Sequence, residues 1–334
     1  MSIILQATEP LSWQQQLQQA YTSRKTLLAA VDVDDDQLEE HAISFQLLVP
    51  KAFANRIVKG DAKDPILAQI LTVGEELIEH PDYSADPLAE ADFTVAPGII
   101  HKYRSRILLV LSGKCAVNCR YCFRRHFPYE DNRLSTTQWQ SSLAYLNNHP
   151  EVNEVILSGG DPLMQNDKSL CSLIEAIEAY PQIKRVRIHT RLPLVIPARV
   201  TDELCTLLQQ TRLNTQLVWH INHANEIDTE VGNAAAKLQQ AGVRQFNQSV
   251  LLKGVNDNAQ TLADLSEKLD DINIQPYYLH LLDRVQGAAH FQISAKRAAE
   301  IYQQLCATLP GTLTPKLSKE ESGGSAKTVF GNGI

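Results

Sequence analysis

Three thiols within eight residues, Cys115-Ala-Val-Asn-Cys119-Arg-Tyr-Cys122, form the group in this chain best suited to chemistry. Thiolates are soft donors of the kind that hold iron–sulfur clusters. A Cys-x3-Cys-x2-Cys loop can wrap three corners of a cubane [4Fe–4S] cluster, which leaves the fourth iron open to a small molecule. Two other readings fit the same spacing. One is a structural zinc with His126 completing a Cys3His set; the other is three unliganded thiols.

Further polar groups could serve such a centre. Arg124 and Arg125 follow the loop at once and could clamp a carboxylate or phosphate through two parallel N–H bonds, or could be a solvated charge pair. Ser158-Gly159-Gly160-Asp161 lacks the Gly-x-Gly-x-x-Gly spacing of a dinucleotide loop. Its glycines would let backbone approach a ligand and Asp161 could accept from an ammonium group, or the stretch is a tight turn with Asp161 near a helix start. His220 and His223 are candidate ligands or ordinary satisfied histidines, and Asp283 could equally be a turn residue. Gly323-Gly324-Ser325-Ala326-Lys327 carries one lysine able to form a Schiff base with a carbonyl cofactor, or is a mobile tail.

From about residue 104 onward, short β-branched runs alternate with amphipathic stretches. Strands are expected at 106–111, 154–158, 185–190, 216–221, 244–250 and 274–280, with helices near 137–148, 167–179, 201–211, 228–241, 258–268 and 294–308. Strand–helix alternation implies a parallel sheet. Six such units suit an α/β fold of the open, partial (β/α)6 barrel type, with a doubly wound sheet as the alternative. Ligands bind outside the carboxyl ends of such strands, and the cysteine loop, Gly159–Asp161, His189–Arg191, His220, Gln248 and Asp283 all fall at strand ends. Residues 1–100 are expected to be a helical N-terminal region, with helices from Trp13 to Ser23 and from Pro65 to Ile78. An acidic, proline-punctuated connection from Pro81 to Gly98 leads to the barrel at 101–334.

The 334 residues are 44% hydrophobic and 21% charged, ordinary values for a globular protein with ample core. A net charge of −7 disfavours general nucleic-acid binding. No run approaches the roughly 18 apolar residues of a membrane span, and the start of the chain lacks the marks of a signal peptide. Six cysteines are too few for a disulfide scaffold. Cys171, Cys205 and Cys306 read as buried small apolar groups, and the expected compartment is a reducing cytoplasm.

Cys115 to Cys122 followed by Phe123-Arg124-Arg125 resembles the radical S-adenosylmethionine superfamily, and within it the lysine 2,3-aminomutase family. Supporting stretches are Arg191-Leu-Pro-Leu-Val-Ile-Pro-Ala-Arg199, His220-Ile-Asn-His-Ala-Asn-Glu226 and Tyr277-Tyr-Leu-His-Leu-Leu-Asp283. The resemblance is strongest to the short members that act with elongation factor P. It implies a [4Fe–4S] cluster on Cys115, Cys119 and Cys122, with S-adenosylmethionine on the open iron and near Gly159, Gly160, Asp161, His220 and Gln248. It implies pyridoxal 5′-phosphate on Lys327, with Arg106 and Tyr103 near the phosphate. Arg124 would hold the α-carboxylate of L-lysine, and Asp283 and Glu320 its ε-ammonium, Glu320 standing where the family has Asp. The implied reaction uses a 5′-deoxyadenosyl radical to convert L-lysine into (R)-β-lysine, for a separate ligase that modifies elongation factor P. A homo-oligomer, if formed, is expected to be simpler than that of longer members, whose C-terminal extension has no counterpart here.

Overall fold

Arg106-Ile-Leu-Leu-Val-Leu-Ser112 is too uniformly apolar for a strand with one wet face, and it becomes β3, the first parallel strand of a ten-stranded sheet in the computed structural model. The structure describes residues 11–34, 45–132, 139–324 and 326–331. The first ten residues and Ser325 therefore lie outside the described residues, and with them the signal-peptide reading and one member of the glycine-rich loop.

β3 pairs in parallel with β4 (Glu154–Gly159), and the ladder continues through β5 (Arg185–Thr190), β6 (Asn214–His220), β7 (Arg244–Val250), β8 (Gln275–His280) and β9 (Lys316–Lys319). Strand order equals chain order throughout. A doubly wound sheet would reverse at a switch point, so the partial-barrel expectation holds. β1 (Thr94–Ala96) and β2 (Ile99–Tyr103) run antiparallel on the β3 edge, and β10 (Thr328–Val329) is antiparallel to β9. β1 and β10 do not pair among the described residues, and the sheet stays open.

The crossover helices form where polar caps meet apolar periodicity. Asn166, Thr201, Asp228, Asn258 and Ser294 each accept a backbone N–H at the start of a helix (Asp167–Glu178, Asp202–Gln210, Thr229–Gln240, Ala259–Asp270 and Ala295–Thr308). In the first of these Leu170, Leu173, Ile174 and Ile177 are buried, the i, i+3, i+4, i+7 stripe of a helix lying on a sheet. The helix expected near 137–148 is a short α-turn, Trp139–Leu143, tightened into a 3₁₀ segment, Ala144–Asn148.

The N-terminal region is less helical than expected. Its helices are single or double turns, Trp13–Gln18, Arg24–Ala30, Lys51–Ala54 and Pro65–Ile70. The last stops eight residues early, where Leu71 turns extended and a 3₁₀ turn begins at Gly74. The expected boundary at residue 100 falls inside β2, and Phe53, Ile66 and Ile70 belong to the same apolar cluster as Leu109, Leu157 and Ile188 of the sheet. The Pro81–Gly98 connection is mostly irregular, but Ser84 bridges to Val285 and Glu90 is buried. Cys171, Cys205 and Cys306 are half-buried rather than fully buried; Cys205 and Cys306 pack on apolar clusters, while Cys171 donates to Glu175.

Candidate active site

The carboxyl ends of the parallel strands open into a cavity of about 300 Å³. The loop after β3 brings Cys115, Cys119, Cys122 and Arg124; β4 ends in Gly159, Gly160 and Asp161; β6, β7 and the end of β8 bring His220, Gln248 and Asp283. Tyr103 and Arg106 enter from the β2–β3 turn, and Glu320 and Lys327 from the segment after β9. All fourteen residues to which the resemblance assigns a role thus line one space. His223 does not; its Nδ1 accepts from Asn225 N at 3.1 Å and shapes a turn.

The cysteine loop is anchored from outside. Arg120 N donates to Gln69 O at 2.8 Å, and Asn118 Nδ2 donates to Gln46 O at 2.8 Å. Glu76 receives Arg120 Nε at 2.8 Å and Arg125 Nη2 at 2.7 Å, so Arg125 braces the loop and faces no ligand. The three cysteines carry free thiols. Burial and the neighbouring thiols push Cys122 up to about 11 and raise Cys115 as well. The Cys115 and Cys122 sulfurs so placed hold a negative charge only beside a strong cation, which suits an iron cluster. Among the described residues no three Cys, His, Asp or Glu converge on a single metal ion, and His126 Nε2 contacts Gln286 O at 3.2 Å. That arrangement does not fit a Cys3His zinc, whose four donors meet at one point.

Gly159 and Gly160 bring backbone against backbone. A Cβ on Gly159, whose φ is +115°, would lie 2.7 Å from Ser112 O; one on Gly160 would lie 2.6 Å from Lys114 O. Gly160 N donates to Ser112 O at 2.6 Å and Asp161 N to Lys114 O at 2.9 Å, which fixes the approach to Cys115. The Asp161 carboxylate caps the 3₁₀ turn through Leu163 N at 3.0 Å and accepts from Thr190 Oγ1, Arg191 N and Leu192 N at 2.7–2.9 Å. The turn reading and the cavity-lining reading therefore describe the same residue.

Arg124 is buried against Glu90, with Nε and Nη2 at 2.7 and 2.6 Å from its oxygens, and Nη1 donates to Ser158 Oγ at 3.0 Å. A guanidinium has five N–H bonds. Three are used, and the two left over, one on each terminal nitrogen, match a carboxylate fork.

At the opposite side Glu320 accepts from Tyr103 Oη at 2.8 Å and pairs with Lys102 Nζ and Lys327 Nζ, both at 3.4 Å. Burial lowers Lys327 below the usual lysine range, against the pull of Glu320, which brings its nucleophilic amine form within easier reach. Burial and the Glu320 charge push Asp283 up to about 7. His220, pushed down to about 3 by burial and by Arg191, is neutral, and burial also holds His189 and His280 well below the usual range. The Arg106 guanidinium stacks 4.1 Å over the Tyr103 ring. Lys102, Glu90 and Glu226 were not singled out from the sequence; a signal for Arg191 existed in its position at the end of β5.

A family model described as the Radical SAM superfamily matches residues 109–265. The L-lysine 2,3-aminomutase of Haemophilus influenzae is 49% identical over 325 residues, 96% of each chain. That of Escherichia coli strain K12 is 49% identical over 320 residues, 95% of this chain and 93% of the other. The L-lysine 2,3-aminomutase of Clostridium subterminale is 34% identical over 289 residues, 85% of this chain and 68% of that protein.

Proposed function

The chain belongs to the lysine 2,3-aminomutase family of radical S-adenosylmethionine enzymes, and on that premise we propose that its cavity converts L-lysine into (R)-β-lysine. The family's [4Fe–4S] cluster, S-adenosylmethionine and pyridoxal 5′-phosphate supply, when bound, a carbon radical that abstracts hydrogen and a conjugated nitrogen able to move between adjacent carbons. Cys115, Cys119 and Cys122 hold the cluster. Gly159, Gly160, Asp161, His220 and Gln248 would line the space for S-adenosylmethionine. Lys327 holds the pyridoxal group, with Tyr103 and Arg106 toward its phosphate.

The protein's own part is orientation. The two unused N–H bonds of Arg124 receive the α-carboxylate of lysine, and Asp283 receives the ε-ammonium. Glu320, on the wall of the same cavity as Asp283, would add a second carboxylate to that ammonium site. Fixing both ends of the substrate decides which hydrogen is taken, and the buried walls keep water away.

The carrying observation is that Lys327 and the cysteine loop, some two hundred residues apart, line one cavity. Further, β-lysine would pass to a separate ligase for attachment to elongation factor P in the cytoplasm, a role supported by the resemblance to the short members. No described helix is long and apolar enough to cross a membrane. The test is an anaerobic assay of reconstituted protein with lysine, reductant, S-adenosylmethionine and pyridoxal 5′-phosphate, resolved by chiral chromatography. (R)-β-Lysine is expected. Accumulation of 5′-deoxyadenosine without β-lysine would remove free lysine as substrate, and absence of a pyridoxal absorbance would remove Lys327 from its role.

A further inference from the structure

Arg191 reaches a cysteine of the loop directly. Its Nη1 donates to Cys119 Sγ at 2.6 Å and to Tyr121 Oη at 2.9 Å. Nη2, on the other terminal nitrogen, donates to Gln69 Oε1 at 2.8 Å and to Glu226 Oε2 at 2.7 Å. Arg191 is 6% exposed, and Gln69 and Glu226 are 0% exposed. The end of β5, the N-terminal helix Pro65–Ile70 and the turn after β6 thus hold one guanidinium in a dry place, with its positive face on the sulfur and its counter-ion on the other side. A buried ion pair is a poor device for stability, because desolvation offsets most of the attraction. Its orientation toward sulfur is what needs a reason.

We propose that Arg191 sets the reduction potential of the cluster on Cys115, Cys119 and Cys122, and that Glu226 and Gln69 fix its position for that purpose. This rests on the reading that the cysteine loop holds a [4Fe–4S] cluster. Reduction moves one electron from an external low-potential one-electron donor to the 2+ cluster, giving the 1+ cluster, with no bond made or broken and no proton taken up. The added negative charge is stabilised by a nearby cation, far more in a dry site than in water. An N–H bond to a ligand sulfur also draws electron density from the iron. Both effects raise the potential. The Glu226 carboxylate acts in the opposite sense from beyond the guanidinium, so the two partners of one ion pair have opposite effects. A purely architectural pair would not behave that way.

The test is an anaerobic redox titration of the reconstituted full chain without S-adenosylmethionine, followed by the electron paramagnetic resonance of the 1+ cluster, with iron and sulfide measured on each protein. Arg191→Met is expected to lower the potential enough to leave about tenfold less reduced cluster at a fixed poise, roughly 59 mV for a one-electron couple. Glu226→Gln is expected to raise it, and Arg191→Lys, which keeps the charge, to stay near wild type. A fully loaded Arg191→Met protein with an unmoved potential overturns the proposal, as does a shift of the same sign in Arg191→Met and Glu226→Gln. If Arg191→Met fails to load, Glu226→Gln decides, since an unmoved potential there overturns the proposal by itself. A wild-type protein that assembles no [4Fe–4S] cluster removes the underlying reading too; an intact cluster with unmoved potentials removes this inference alone.

Discussion

Asp283 and Glu320 line the same cavity, yet the proton settles on the first and the negative charge on the second. Glu320 receives a hydroxyl and two ammonium groups, which lower it despite burial. Asp283, buried beside that charge, is raised to about 7. Its folded value lies above the usual carboxylate range, so it is neutral below about pH 7 and charged above. An ammonium substrate then binds better as pH rises through that value. We expect the KM for lysine to fall by up to about tenfold per pH unit below that point and to level off above it. Asp283→Asn should abolish this dependence and raise KM, and a steady-state pH series on both proteins checks it; a flat wild-type profile would remove Asp283 from substrate recognition. Arg124→Lys loses the planar fork, and loss of a charged hydrogen bond of about 1.5–3 kcal/mol predicts a 10- to 100-fold fall in kcat/KM. The cavity-lining set was legible because strand-end residues and family motifs mark it. Arg191 and Glu90 owe their roles to partners 122 and 34 residues away, and no local pattern announces a contact of that separation.

At the scale of elements, the barrel strands were readable because short strand-length runs alternate with amphipathic helical stretches, even where, as in β7, only Phe246 and Val250 are apolar; β5 and β7 match to the residue. β9, Lys316-Leu-Ser-Lys319, escaped notice because four residues alternating charged, apolar, polar and charged carry no strand signature; its pairing with β8 is what makes it a strand. β1 lies inside the acidic connection and β2 directly after it, and both are strands through their antiparallel pairing on the β3 edge. The β4 turn shows how an element can serve the site through its backbone. Gly160 lets two backbones meet where a methyl group would lie 2.6 Å from Lys114 O, and backbone cannot give way as a side chain can. Gly160→Ala is expected to cost about 1–3 kcal/mol and to displace the approach to Cys115. The measurement is iron and sulfide per chain after reconstitution, with Gly311→Ala, where a Cβ meets nothing within 4 Å, as the control that should load normally.

For the molecule as a whole, the described part of the N-terminal region works as a brace for the cysteine loop. Gln69, Glu76 and Gln46 lie on it, and all three hold the cysteine loop. This region is less helical than expected because its buried apolar residues sit on helices of one or two turns that face the barrel core. Its apolar side chains join the same core as those of the barrel strands. The consequence can be tested at Glu76. Its carboxylate takes two guanidiniums, and the Arg120 and Glu76 side chains are 0% and 1% exposed. Removing one partner of a buried ion pair strands the other charge, at a cost of roughly 3–5 kcal/mol. Glu76→Gln strands two, Arg120 and Arg125, and both flank Cys122. We therefore expect Glu76→Gln to lower stability by that amount in denaturant unfolding and to release iron faster to a chelator under native conditions. Arg297→Gln breaks a surface pair between two half-exposed side chains and should change neither. If Glu76→Gln unfolds earlier but keeps its iron as tightly as wild type, the N-terminal region stabilises the barrel without bracing the loop.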